Sequence, residues 1–211
     1  MLGTHDLWAF LLASVLLWIT PGPDNLYILA RSIAQGRRAG LVSALGIGSG
    51  VLVHTLAAAL GLSAILATSA WAFLAVKVTG AAYLIYLGIA ALRRPVAPLA
   101  APTLDPASPW AVYRQGVLSN ILNPKVAVFF LAFLPQFVDP GAGGGPLPFL
   151  LLGGLFVTGG TLWCVLFALG ASTATSALRR SPRLLVGLER LSGCVYIALG
   201  LNLLRSRPQS A

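Results

Sequence analysis

Two short stretches of this sequence set helix-breaking and polar residues inside otherwise apolar runs. The first is Thr20-Pro21-Gly22-Pro23-Asp24-Asn25; the second is Asn120-Ile121-Leu122-Asn123-Pro124-Lys125. Two prolines around a glycine cannot continue an α-helix, because each proline lacks an N–H and its ring clashes with the preceding turn. In apolar surroundings the freed backbone groups need protein partners or a water-filled cavity. A carboxylate such as Asp24 costs about 3 kcal/mol or more at membrane depth on insertion scales, so it needs a partner. Asp24, Asn25, Asn120, Asn123 and Lys125 are therefore the candidate binding residues. Pro21, Gly22, Pro23 and Pro124 are the breaks that frame them.

The runs that carry these breaks are long. The chain has 211 residues, 57% of them hydrophobic and 9% charged, with a mean hydropathy of +0.86. Soluble domains carry about 25% charged residues. Fourteen Lys and Arg and five acids are too few to cover a water-facing surface. Six apolar segments run approximately over 7–33, 40–69, 71–92, 112–138, 147–174 and 184–204, and a bilayer crossing takes roughly 20 residues. The expectation is an all-α membrane protein: one transmembrane domain, 1–211, of six helices, with the first and fourth broken at proline. No Lys or Arg precedes the first run, so it does not read as a cleavable signal. Lys125 lies eleven residues beyond Arg114, which puts it ~16 Å deep, near the midplane.

Charge placement orients the helices. Arg31, Arg37 and Arg38 flank the first connection, Arg93, Arg94 and Arg114 the third, and Arg179, Arg180 and Arg183 the fifth. The second and fourth connections have no Lys or Arg. The positive-inside rule puts the three Arg-bearing connections in the cytoplasm and both termini in the periplasm. Arg205 and Arg207 then sit on the outer side, a misfit outvoted by the nine others. The halves, approximately 1–92 and 112–211, are joined by the loop 93–111 and resemble each other. GAAYLIYLGIAALRR begins at Gly80 and GCVYIALGLNLLRSR at Gly193. Three helices per half is odd, so the repeats are inverted, a recurring plan of secondary transporters.

Other residues exclude other functions. The net charge of +9 comes from short Arg clusters between apolar runs, which does not point to nucleic acid. Cys164 and Cys194 make no metal spacing, and no phosphate-binding loop is present, so neither metal, cofactor nor ATP is expected. Two His and five acids scattered along the chain give no enzyme constellation. His54 reads as a hydrogen-bonded packing residue, Lys77 as a side chain reaching the outer interface, and Glu189 with Arg190 as a boundary ion pair. Trp18, Trp71, Trp110 and Trp163 include interface anchors. The glycines Gly46, Gly48, Gly50, Gly153, Gly154, Gly159 and Gly160 favour close helix packing.

The Pro21-Gly22-Pro23-Asp24 stretch, the glycines from Gly46 to Gly50, the run from Gly80, and Asn123-Pro124-Lys125 followed by FFLAFLPQF together resemble the LysE/RhtB family of amino-acid exporters. The resemblance spans essentially the whole chain. It implies a multi-pass secondary transporter of the bacterial inner membrane that exports amino acids in exchange for protons. An amino acid is a zwitterion. Asp24 can hold its ammonium; Lys125 and the half-helix N-terminus after Pro124 can hold its carboxylate. Asn25, Asn120 and Asn123 can add hydrogen bonds. Without substrate, Asp24 pairs with Lys125 or takes a proton; alternatively, Asp24 only caps the half-helix after the break. The scarcity of membrane acids favours neutral cargo such as threonine, homoserine or leucine. The alternatives are another small cation or metabolite as cargo, or a non-transporting membrane subunit. The partners expected are the bilayer, an amino acid, protons and, as one option, further copies of the chain.

The charge pattern sets one test. Cysteine tags in 93–110 should react with impermeant reagents only from the cytoplasmic side, and tags in 139–146 only from outside. Labelling of 139–146 from inside would overturn the orientation.

Overall fold

The computed structural model describes residues 3–64, 70–93, 104–139, 145–180 and 182–205. Among these the chain is helices and short connections, with a single isolated antiparallel bridge between Thr4 and Val138. Helix α1 (Leu7–Ile19) stops at the first break and α2 (Pro23–Gln35) starts beyond it, bent by 44°. Pro23 takes the first position of α2, where its missing N–H is not needed. One residue, Gly36, separates α2 from α3 (Arg37–Ala57), at a φ of 82° that suits glycine. A π-helical turn, Ala58–Leu62, extends α3. Helix α4 is Ala70–Arg93. Helix α5 (Pro109–Ile121) is capped by the Ser108 hydroxyl, which accepts the Ala111 N–H. Helix α6 (Pro124–Val128) is bent by 46° from α5 and continues through a π turn, Phe129–Phe133, and a 3-10 turn, Leu134–Phe137. Helices α7 (Leu147–Arg180) and α8 (Pro182–Arg205) complete the set.

The two breaks expected from sequence are present, and the all-helical class holds among the described residues; residues 65–69 of the second apolar run lie outside them. Among the described residues, Arg37–Leu62, Leu74–Arg93 and Leu147–Ala171 are each long and apolar enough to cross a membrane; counting each bent pair as one span gives five. Helix α8 is not among them and carries Arg183, Glu189 and Arg190 in its first half. The loop residues 94–103 and 140–144, on which part of the topology expectation falls, lie outside the described residues.

Glycines show which helices touch and which way each runs. Gly46 lies on the backbone of Tyr113 and Gly116, and Gly50 on Asn120, so α3 and α5 run parallel. Gly40 faces Ala168, Gly48 faces Thr161 and Gly153 faces Thr55, so α3 and α7 run antiparallel. Gly88 meets Gly193 and Ile197, while Gly200 meets Ala81 and Ile85, so α4 and α8, the third helices of the two halves, also run antiparallel. Those are the directions that two inverted halves require. Small residues let the backbones approach, which is how helices associate in lipid.

The connections sort to two ends. Arg31 donates to the Asp105 carbonyl (3.2 Å) and Gln35 to the Ala107 carbonyl (2.9 Å), joining the first and third connections. At the opposite end the His5 N–H donates to the Phe137 carbonyl, the Asp139 N–H donates to the Gly3 carbonyl, and His5 Nδ1 lies 2.9 Å from Asp139 Oδ1. Phe10, Phe129, Phe133, Phe137 and Phe156 form an aromatic core with neighbouring centroids 4.7–6.0 Å apart. Trp71 and Trp110 are exposed at helix starts as anchors should be, and so is Trp8; Trp18 and Trp163 instead turn inward. Lys77 also departs from expectation. It is 4% exposed, because it shares the packed stripe of α4 with Gly80, Ala81, Leu84 and Gly88.

A Cβ at Gly88 would fall 2.7 Å from the Gly193 carbonyl oxygen, a backbone atom that cannot yield, whereas Gly154 has nothing within 4 Å. Gly88→Leu should therefore lower the melting temperature in detergent, by about 1–3 kcal/mol of overpacking. Gly154→Ala should hold or raise it, since alanine favours helix over glycine by about 1 kcal/mol. Equal effects of the two would refute the close α4–α8 contact.

Candidate functional site

In a continuous helix the Leu17 carbonyl would accept from the N–H of residue 21. That residue is Pro21, which has none. The ammonium of Lys125 fills the place: Nζ donates to the carbonyls of Leu17 (2.7 Å) and Thr20 (2.9 Å). Asn25 Nδ2 donates to the Trp18 carbonyl at 3.1 Å and the Thr20 carbonyl at 3.2 Å. Gly22 leaves room for the ammonium, since a Cβ there would lie 3.3 Å from Nζ. The second break is closed the same way. The Asn120 carbonyl lies four residues before Pro124 and is 3.1 Å from His54 Nε2, a contact that takes the Nε2–H tautomer; it also accepts the Asn123 N–H at 2.9 Å. His54 stacks on Phe130, so it is a packing residue with a hydrogen bond, as expected.

Asp24 does not cap α2. Gly22 occupies the cap, with no side-chain hydrogen bond there. The Asp24 carboxylate turns to the other break instead. Oδ2 accepts from Asn120 Nδ2 (2.8 Å) and Asn123 Nδ2 (2.9 Å), and the Ser119 hydroxyl lies 3.5 Å from Oδ1. Asn123 works twice, because its Oδ1 also accepts the Lys125 N–H and caps α6. Among the described residues Asp24 and Lys125 form no ion pair with each other, contrary to the pairing considered from sequence. The physical reason is the two prolines. The carbonyl that Pro21 leaves unbonded draws the lysine, and the amides beside Pro124 satisfy the carboxylate.

Both charges nevertheless border one cavity of about 40 Å³ between the breaks. Asp24, Asn25, Asn120 and Lys125 form its polar edge. Leu17, Ile47, Val51, Val126 and Phe156 form its apolar wall. Trp18 of α1 and Thr161, Trp163 and Cys164 of α7 also border it. That volume holds about three waters. A family model for LysE type translocators matches residues 15–207 of the chain. This protein belongs to the LysE-type translocator family.

Relatives of this translocator are membrane proteins. One from Pseudomonas aeruginosa, described as an uncharacterized membrane protein, is 32% identical over 207 residues and 96% of each chain. An uncharacterized membrane protein of Vibrio cholerae is 34% identical, covering 94% of this chain and 96% of its own. A leucine efflux protein of Salmonella typhimurium is 27% identical over 71% of each chain. No solved structure matches the chain. The chain is thus a transport protein of a membrane, not an enzyme.

Of the residues singled out from sequence, the translocator fold brings Asp24, Asn25, Asn120 and Lys125 to the cavity and places Asn123 behind Asp24. Ser119, Trp18 and Trp163 were not anticipated there. Trp18 stands eleven residues beyond Leu7 in the first run, too deep for an interface anchor, and that depth was the available signal.

Lys125→Met should lower the yield and melting temperature of folded translocator, because each stranded carbonyl costs about 1–3 kcal/mol. Adding Pro21→Ala should restore part of the loss by returning an N–H to the Leu17 carbonyl. Adding Asp24→Asn instead should not. Rescue by Asp24→Asn and none by Pro21→Ala would mean that Lys125 is held by the carboxylate after all.

Proposed function

We propose that this LysE-family translocator exports neutral, apolar amino acids from the bacterial cytoplasm across the inner membrane in exchange for protons. One observation carries the reading. A carboxylate and an ammonium, not paired with each other, border the same small cavity at the crossing of two broken helices. A zwitterion brings the complementary pair. Asp24 receives its ammonium. Lys125, with two of its three N–H donors spent on Leu17 and Thr20, turns the third toward its carboxylate. Asn25 and Asn120 line the head group, and Asn123 holds Asp24 in place. The apolar wall suits an aliphatic side chain, and among the described residues lining the cavity there is no second carboxylate to receive a basic one. The leucine efflux relatives agree with that choice. Asp24 is also the coupling group, carrying a proton when it does not hold the substrate ammonium. The working topology has α8 as the sixth crossing, the Arg-bearing connections in the cytoplasm and both termini in the periplasm.

Inverted membrane vesicles turn export into accumulation. Labelled leucine should accumulate under an acid-inside gradient, and a protonophore should abolish the accumulation. Asp24→Asn should reduce it to the level of empty vesicles while the protein still inserts. Preferential accumulation of lysine would refute the neutral cargo, and full gradient-driven export by Asp24→Asn would refute the coupling role.

A further inference from the structure

Two half-helices, one from each half of the chain, run from the cavity to the same face of the molecule. At the cavity end, α1 contributes Leu17 and Trp18, and the run Pro124–Phe137 contributes Lys125 and Val126. At the far end, residues 3–5 lie antiparallel to residues 137–139. The His5 N–H donates to the Phe137 carbonyl at 3.0 Å, and the Asp139 N–H donates to the Gly3 carbonyl at 2.9 Å. The His5 ring adds its contact with the Asp139 carboxylate. Beneath these, Phe10 meets Phe137 edge-on at 5.4 Å. A short strap thus ties the two half-helices together at the end opposite the cavity.

The strap is built lightly. It is an isolated bridge rather than a sheet. His5 and Asp139 are 38% and 40% exposed, so water competes for their contact, and such pairs contribute little. Closing the strap also strains the chain. Asp6 takes a φ of 49°, left-handed backbone that is unfavourable for a residue with a Cβ. It leads into α1 there with no side-chain hydrogen bond to the helix, whereas a helix cap is normally extended and its side chain accepts an N–H. The other end of the molecule is fastened more firmly. Arg31, 5% exposed, donates to Gln35 Oε1 and Gln115 Oε1, each at 2.6 Å, and the Tyr27 hydroxyl donates to the Val112 carbonyl at 2.7 Å. Moving elements are drawn from the weakly held parts of a fold. We infer that the strap of residues 3–5 on residues 137–139 is the periplasmic gate of the translocator: its release lets α1 and the run Pro124–Phe137 part and joins the cavity to the outside. The inference rests on the orientation proposed above. Release also frees Asp6 to leave the left-handed region and cap α1, which offsets part of the loss of the strap's hydrogen bonds.

The test locks the strap in the full-length protein. Thr4 and Val138 face each other as the non-hydrogen-bonded pair of the bridge, where Cα atoms lie about 4.5 Å apart, within the span of a disulfide. Thr4→Cys with Val138→Cys should therefore close on oxidation. Cys164, which borders the cavity, is the reporter, and Cys194→Ala removes the other native thiol. A membrane-impermeant maleimide is added to right-side-out vesicles, and modification is read on the Cys164 peptide by mass spectrometry. Cys164 should react before oxidation, be protected in the locked protein, and react again after reduction. Locking should not lower its modification in inverted vesicles. His5→Pro, which deletes one strap N–H and the side-chain contact, needs no disulfide and should speed modification from outside about fivefold or more. Equal modification of locked and unlocked protein would overturn the gate. So would a Cys164 that never reacts from outside, or a His5→Pro rate no higher than the parent's. Protection by the lock in inverted vesicles alone would keep the gate and overturn the orientation.

Discussion

A backbone carbonyl that loses its helical partner inside a bilayer has no water to turn to, and this organises the molecule. Pro21 removes the donor for the Leu17 carbonyl and Pro124 the helical donor for the Asn120 carbonyl. Each gap is closed by a side chain from elsewhere: Lys125 at the first break, His54 at the second. The polar residues near the prolines therefore have structural duties before any ligand is considered. Four of them, Asp24, Asn25, Asn120 and Lys125, also border the cavity.

The closure is reciprocal between the halves. Lys125 of the second half completes the break of the first, and His54 of the first completes the break of the second. Asp24 of the first half is held by Asn120 and Asn123 of the second. Neither half contains a whole site. The packing glycines serve the same end, because Gly46 and Gly50 bring α3 close enough to α5 for His54 to reach the Asn120 carbonyl. Fold and site are thus one network.

Much of this was legible in the sequence for definite reasons. Proline within an apolar run announces a break whatever the tertiary structure, so both breaks and the polar residues beside them could be named. Arginine clusters sorted the connections to two ends, and the contacts of Arg31 and His5 agree with that sorting. Partner choice was not legible. Whether Lys125 reaches Asp24 or the Leu17 carbonyl depends on bends of 44° and 46° that no local pattern encodes. Lys77 was misplaced because its distance from the helix start says nothing of which face packs. Trp18 and Trp163 were hidden by the strong tendency of tryptophan to mark membrane surfaces.

The single residue between α2 and α3 has a mechanical consequence. With the break at one end and Gly36 at the other, α2 is a stiff lever of thirteen residues, roughly 20 Å long. Asp24 sits beside the fulcrum, and Arg31 and Gln35, which tie α2 to residues 105 and 107, sit toward the far end. A tilt of about 10° would carry that far end about 3 Å over such a length while barely displacing the carboxylate. The geometry separates amplitude from precision: the end of α2 that a tilt would carry furthest is remote from the Asp24 carboxylate.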